Sequence, residues 1–184
     1  MAGKLGGRNL NVTMKRWEQL YVELQRKTEK FGYDPPHRIG GDLSQTFEYR
    51  RKRKPVLLIA FRDVGLKPDY VRPNRLWVEG LDLVMTRLVE IGRERPAEPL
   101  PPAIAIVIDN IGDSYVVVTL TELFDVYWER VEHPRMQGSR QFTFAVERRE
   151  SGYYLVAPGN EPNVPLLNVG SMDPIVALLK RLAE

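Results

Sequence analysis

Five cations run without interruption through Arg50-Arg51-Lys52-Arg53-Lys54, between two segments that alternate or run apolar in the manner of strands. Guanidinium and ammonium groups at this density on structured backbone suit the capture of a polyanion, most simply the phosphates of nucleic acid. A solvated, solubilising face is the competing assignment. The wider charge distribution favours the first. Residues 1–75 hold 17 Lys and Arg against 8 Asp and Glu, whereas the remaining 109 hold 10 against 16, within a chain of net charge +3. Lys4, Arg8, Lys67, Arg72 and Arg75 extend the basic set. Phosphate contacts of this kind give affinity without reading base sequence. Tyr49, Tyr70 and Trp77 lie close to these cations and suit stacking on bases. Core packing is their alternative, above all for Trp77.

The elements that must carry these residues follow from apolar spacing. From Thr13, Met14, Trp17, Leu20, Tyr21, Leu24 and Phe31 recur at three and four, predicting an amphipathic helix capped by Asn11 or Thr13 and stopped by Gly32 and Pro35-Pro36. Leu43, Gln45, Phe47 and Tyr49 alternate with polar neighbours, predicting a strand with one packed face. Pro55 to Phe61 is apolar on both faces, as a central strand is, so the two form a hairpin with the cations at its tip. Leu76 to Ile91 reads as a second helix capped by Asn74 and closed by Gly92. Strands follow at Ala103–Ile108 and Tyr115–Leu120, then a short helix at Glu122–Val131. A hairpin of Phe142–Arg148 and Tyr153–Val156 comes next, and a closing helix runs from Ser171 to Leu182.

With 43% hydrophobic residues, the 184-residue chain can bury one core. It contains no apolar run of the ~20 residues needed to span a membrane. Met1 to Leu10, with two cations and three glycines, lacks the apolar stretch of a signal peptide. The absence of cysteine excludes disulfides, thiolate catalysis and cysteine-based zinc sites, and it fits a reducing cytoplasm. The two histidines, His37 and His133, stand alone as surface residues, which argues against a Ser-His-Asp arrangement or a histidine metal site. No Gly-rich phosphate loop, nucleophile elbow or helix-turn-helix signature appears.

The order α-β-β-α-β-β-α up to residue 131 resembles the PD-(D/E)XK nuclease superfamily, which includes restriction enzymes and Holliday-junction resolvases. The matching stretches are Trp17-Glu18, Arg38-Ile39-Gly40-Gly41-Asp42, Leu57-Leu58-Ile59-Ala60-Phe61-Arg62 and Tyr115 to Phe124. The resemblance implies paired carboxylates holding Mg²⁺, which activates water and neutralises the phosphate, with a lysine beside them. Asp42 fits the first carboxylate. Aligned on Ile59, however, the glutamate position falls on Ala60 and the lysine position on Arg62, whose guanidinium cannot exchange a proton. Two substitutes are open. Counting back through a tight turn at 51–54 sets Asp42 opposite Asp63, and Glu48-Tyr49-Arg50 offers Glu-x-Arg on the earlier strand. Glu18 stands on the first helix as that family's acidic residue. For each of these carboxylates the alternative is a turn residue or a solvated charge.

The resulting expectation is a mixed α/β fold: a central sheet flanked by helices, followed by a β-hairpin and a C-terminal helix. A basic tail at 1–10, a nuclease-like core at 11–131 and an appended hairpin and helix at 132–184 divide the chain. The functional expectation is a cytoplasmic nucleic-acid-binding protein, DNA before RNA, with a degraded catalytic motif and no cofactor. It would serve phage, mobile-element or other DNA-processing machinery, and its apolar helix faces offer a homodimer surface. The alternatives are a divergent Mg²⁺-dependent endonuclease built on Asp42 with Asp63 or Glu48, and an interaction module whose basic tip meets an acidic protein face.

Overall fold

A computed structural model of the chain describes residues 15–64, 74–110, 114–120, 144–156, 164–165 and 170–184. Helix α1 (Arg16–Thr28) contains no glycine or proline, and it buries Trp17, Leu20, Leu24 and Thr28 along one stripe. A 3₁₀ turn (Glu29–Phe31) follows and is closed by Gly32, whose φ of 71° lies in the left-handed region that terminates helices. The central sheet comprises β1 (His37–Arg38), β2 (Thr46–Arg51), β3 (Lys54–Val64), β5 (Ala103–Asp109) and β6 (Ser114–Thr119), in the order β1-β2-β3-β5-β6. β3 and β5 run parallel; the other pairs are antiparallel. A second, antiparallel sheet holds β4 (Arg75–Val78), β7 (Phe144–Arg149), β8 (Gly152–Val156) and β9 (Val164–Pro165). Helix α2 (Asp82–Glu94) and a closing helix, α3 (Asp173–Ala183), complete the described elements. The mixed α/β class read from the sequence is the class observed.

Side-chain alternation sorts the core into two layers. Leu57, Ile59 and Phe61 of β3 join Phe47 and Tyr49 of β2 beneath α1 and α3. Leu58 and Ala60 face the other way, onto α2 and the inner face of the second sheet, where Val78, Phe144 and Val146 meet them. β5, reading Ala-Ile-Ala-Ile-Val-Ile-Asp, is buried at every position because both of its faces are covered. No helix among the described residues is long and apolar enough to cross a membrane.

The expected helix over 76–91 is corrected. Arg75–Val78 is a strand with Leu76 and Val78 inward and Arg75 and Trp77 outward, and Leu76 and Val78 pair with Val146 and Phe144. Gly80, at a φ of 71°, separates this strand from α2, which starts at Asp82 without Asn74 as its cap and runs past Gly92 to Glu94. Trp77, expected in the core, is 46% exposed. The strand expected from Leu43 onward begins at Thr46, and β1 and β9 are additional short strands. The helix expected at 122–131 and His133 lie outside the described residues, whereas His37 sits exposed on β1.

A polar tie joins the two sheets. Asp109, 1% exposed at the end of β5, accepts from Arg148 Nη1 at 2.7 Å and from the Tyr153 hydroxyl at 2.8 Å. Burial first, and then the Asp109 carboxylate beside it, pushes the Tyr153 phenol up to about 12. Tyr153→Phe removes a buried hydrogen bond to a charged group and is expected to cost about 1.5–3 kcal/mol in urea unfolding, with the m-value unchanged. The folded protein holds this proton more tightly than the unfolded chain. The hydroxyl's contribution is therefore complete below pH ~10 and is lost as pH rises through about 12. Wild type should accordingly lose stability more steeply than Tyr153→Phe over that interval.

Candidate nucleic-acid interface

The β2–β3 hairpin turns in two residues. Arg51 pairs with Lys54, and between them Lys52 and Arg53 have φ of 49° and 67°. Two successive positive φ values mark the type I′ geometry whose twist matches a β-hairpin, and which Asn-Gly fills at least cost. Side chains with a Cβ pay roughly 1–2 kcal/mol each in that region. The turn is held from outside by Asp34, whose carboxylate accepts from Arg53 N at 2.8 Å and whose own N–H donates to Arg50 O at 2.9 Å. The expected basic tip is thus present, and its cations divide. Lys54 reaches Glu98 across 3.4 Å of solvated surface, a pair of little energetic weight. Arg51, Lys52 and Arg53 have no carboxylate partner among the described residues.

Arg50 leaves the binding set. Together with Arg87 of α2 it clamps Glu48, which is fully buried; Arg87 Nε lies 2.6 Å from Glu48 Oε2, and Arg50 Nε meets the other oxygen. Burial pushes the Glu48 carboxyl up, but the two guanidinium bonds outweigh it and leave the group below the usual carboxylate range. Arg87 also pairs with Glu90 at 3.0 Å and Glu94 at 3.2 Å. Glu48 is therefore a structural anchor between sheet and helix, not an open metal ligand. Arg75 is likewise taken, by Glu147 at 2.9 Å. Tyr49, 1% exposed, belongs to the core. Glu18 accepts from the Lys15 backbone N–H at 3.0 Å and helps to cap α1. Lys4, Arg8, Lys67, Tyr70 and Arg72 lie outside the described residues.

The remaining candidates gather at the far end of β3, about 33 Å from the tip by the rise of a β-strand. An open cleft of about 840 Å³ there is lined by Arg62, Asp63, Asp82 and Asn110, the α1 N-terminus at Lys15 and Arg16, and the apolar lip of Leu43 and Leu83. One Asp63 oxygen is buried without a hydrogen-bond partner. Burial raises the Asp63 carboxyl, against the lowering effects of Asn110 and Lys15. Arg62 donates to the carbonyls of Phe61, Glu79 and Gly80 and to Thr46 Oγ1, and burial brings it down to about 10 against the pull of Asp82. It ties the β4–α2 connection to the sheet.

Asp42 does not pair with Asp63. The ladder shifts by one residue between Tyr49 and Arg50, so that Thr46 meets Ala60. Asp42 instead lies exposed in the turn between β1 and β2, its carbonyl accepting from Arg38. Among the described residues no three Asp, Glu, His or Cys side chains group to hold a metal ion. With Ala60 buried in the sheet and Arg62 fixed by four oxygens, the Mg²⁺ arrangement implied by the nuclease resemblance does not fit these side chains. No family model matches the chain, and no curated protein or solved structure matches it either.

Arg87 and Asn110 were not singled out by sequence reasoning. The visible signal for Arg87 was a cation on the α2 face with Glu90 and Glu94 at i+3 and i+7; its partnership with Glu48 is a tertiary contact. Glu48→Gln is expected to destabilise by about 3 kcal/mol in chemical denaturation, since it leaves a guanidinium cluster short of its charge. With its folded carboxyl held low, the Glu48 contribution is complete above the unfolded value near ~4.3 and disappears as pH falls through the folded one. Wild type and variant should therefore converge in acid. At the turn, Lys52→Asn with Arg53→Gly should raise stability by about 1 kcal/mol or more, measured in the same way.

Proposed function

We propose that this protein binds nucleic acid, DNA in the first instance, by presenting Arg51, Lys52 and Arg53 to phosphates from the tip of the β2–β3 hairpin. One observation carries the reading. Two long cationic side chains occupy left-handed positions that Asn-Gly would fill with less strain, and neither has a carboxylate partner for its side chain among the described residues. Backbone strain kept at an exposed turn is intelligible when the side chains themselves are needed. Contacts of this type position a protein on the sugar–phosphate backbone and are indifferent to base sequence.

The protein acts by binding rather than by cutting. Of the carboxylates considered for a metal, Glu48 is neutralised between two arginines, Asp42 is in another turn, and Asp63 stands a strand-length from the cations. The absence of cysteine fits work in a reducing compartment.

The test is a salt series of binding isotherms on wild type and on the triple variant Arg51→Ser, Lys52→Asn, Arg53→Gly. Each duplex phosphate neutralised contributes about 0.9 to the log–log slope, so three contacts predict a slope shallower by about 2.7 in the variant, with affinity reduced alike for every sequence. A folded variant with unchanged affinity and slope would refute the placement. Wild type without low-salt affinity for DNA would refute the function and favour an acidic protein partner. The same wild-type preparation in Mg²⁺ or Mn²⁺ should leave plasmid, branched and single-stranded DNA intact; cleavage abolished by Asp63→Asn would overturn the non-catalytic reading.

A further inference from the structure

Beside the basic turn, a pocket of about 580 Å³ opens between α1 and residues 33–36. Its size falls within the range of small-molecule sites, roughly 300–1,000 Å³. Tyr33, Pro35, Pro36 and Val22 give it flat and apolar walls, and Gln25 supplies an amide. Val22 is 52% exposed at the rim, a branched apolar side chain in water where a helix surface usually carries charge.

The pocket is stitched to the turn. Asp34 bonds both Arg50 O and Arg53 N, so the segment that makes one wall is tied to the backbone of the turn. The Arg51 charge is near enough to act on the Tyr33 phenol. The wall is also preset. The Tyr33 hydroxyl donates to the Leu179 carbonyl, and its ring meets Tyr49 edge-on with centroids 6.0 Å apart. A ring already fixed loses little freedom on stacking. One Gln25 N–H donates to Tyr49 Oη. The amide's carbonyl and second N–H form the donor–acceptor pair that suits the edge of a base. Among the lining residues the carboxylates Glu29 and Asp34 outnumber the one cation, Arg26, which disfavours a phosphate inside the pocket, whereas the turn attracts one outside it.

We propose that this pocket takes one unpaired nucleobase from a strand whose phosphates lie on the Arg51-Lys52-Arg53 turn. Cations for the backbone next to a planar apolar slot for a base are the combination by which single strands are held. The inference rests on the nucleic-acid reading above and adds to it a preference for unpaired nucleotides.

The experiment compares, by fluorescence anisotropy at one low salt concentration, a short single strand of mixed sequence with an abasic strand of the same length and charge. Both are titrated with wild type, Tyr33→Ala and Gln25→Ala. Wild type should bind the base-bearing strand roughly 5- to 150-fold more tightly, the ratio given by about 1–3 kcal/mol of stacking. Tyr33→Ala should bring that ratio close to one with little change for the abasic strand. Should Tyr33→Ala fail to fold, Gln25→Ala decides by a reduced ratio. Equal wild-type binding of the two strands would overturn the pocket while leaving the turn in place. A ratio that survives in the folded variants would put the base elsewhere and overturn it too. No binding of either strand would overturn the nucleic-acid reading and this inference together.

Discussion

One surplus residue in the β2–β3 hairpin governs the arrangement of charge in this molecule. Arg50 pairs with Pro55 and Tyr49 with Leu57, which leaves Val56 without a partner. Without that bulge the register set by the turn would place Glu48 opposite Leu57, on the face where Phe47, Phe61 and Trp17 pack. A slip of one residue exchanges the two faces of a strand, and here it would put a carboxylate among aromatic rings. The bulge restores the match. Phe47 and Tyr49 fall beside Ile59 and Leu57 under α1, and Glu48 falls on the other face within reach of Arg87. Pro55, which has no N–H to offer a ladder, stands where the ladder is interrupted.

The consequences reach both ends of β3. At its start, the register permits a two-residue turn and so thrusts Lys52 and Arg53 outward in a strained conformation. At its end, the pairing with β2 stops at Thr46, so Asp42 stays in the preceding turn and Asp63 lies in a cleft with Asn110, Lys15 and Arg62 for neighbours. The cationic turn and the Asp63 carboxylate thereby stand at opposite ends of one strand. A phosphodiester lying on the turn would be a strand-length away from Asp63. That separation and the neutralised Glu48 underlie the proposal that the protein binds nucleic acid without hydrolysing it.

Much of this was legible in the chain. The alternation at Phe47 and Tyr49, the apolar run of β3, the buried β5 and the β7–β8 hairpin are local patterns, and local patterns predict strands well. The basic tip was legible for the same reason, since two flanking strands leave the run 50–54 nowhere else to go. What escaped depends on partners distant in sequence. Leu76 and Val78 share spacings with a helix and a strand, and only pairing with β7 decides between them; Trp77 accordingly moved from an expected core position to the surface. The bulge left no mark, because Pro55-Val56-Leu57 reads as continuous strand, and so the Asp42–Asp63 register could not be corrected in advance. The sequence showed five equivalent cations, and their division into clamped Arg50, solvated Lys54 and Arg51 to Arg53, without a carboxylate partner among the described residues, required Arg87, Glu98 and Asp34 to be placed in space.

The most direct measurement is a two-dimensional amide NMR titration of the protein with an oligonucleotide. The largest shifts are expected on the backbone amides of Lys52 and Arg53, while Asp63 and Asn110 stay in place. Perturbation centred on Arg62, Asp63 and Asn110 with the turn amides unmoved would contradict that expectation, and would make the far cleft the functional end of the molecule.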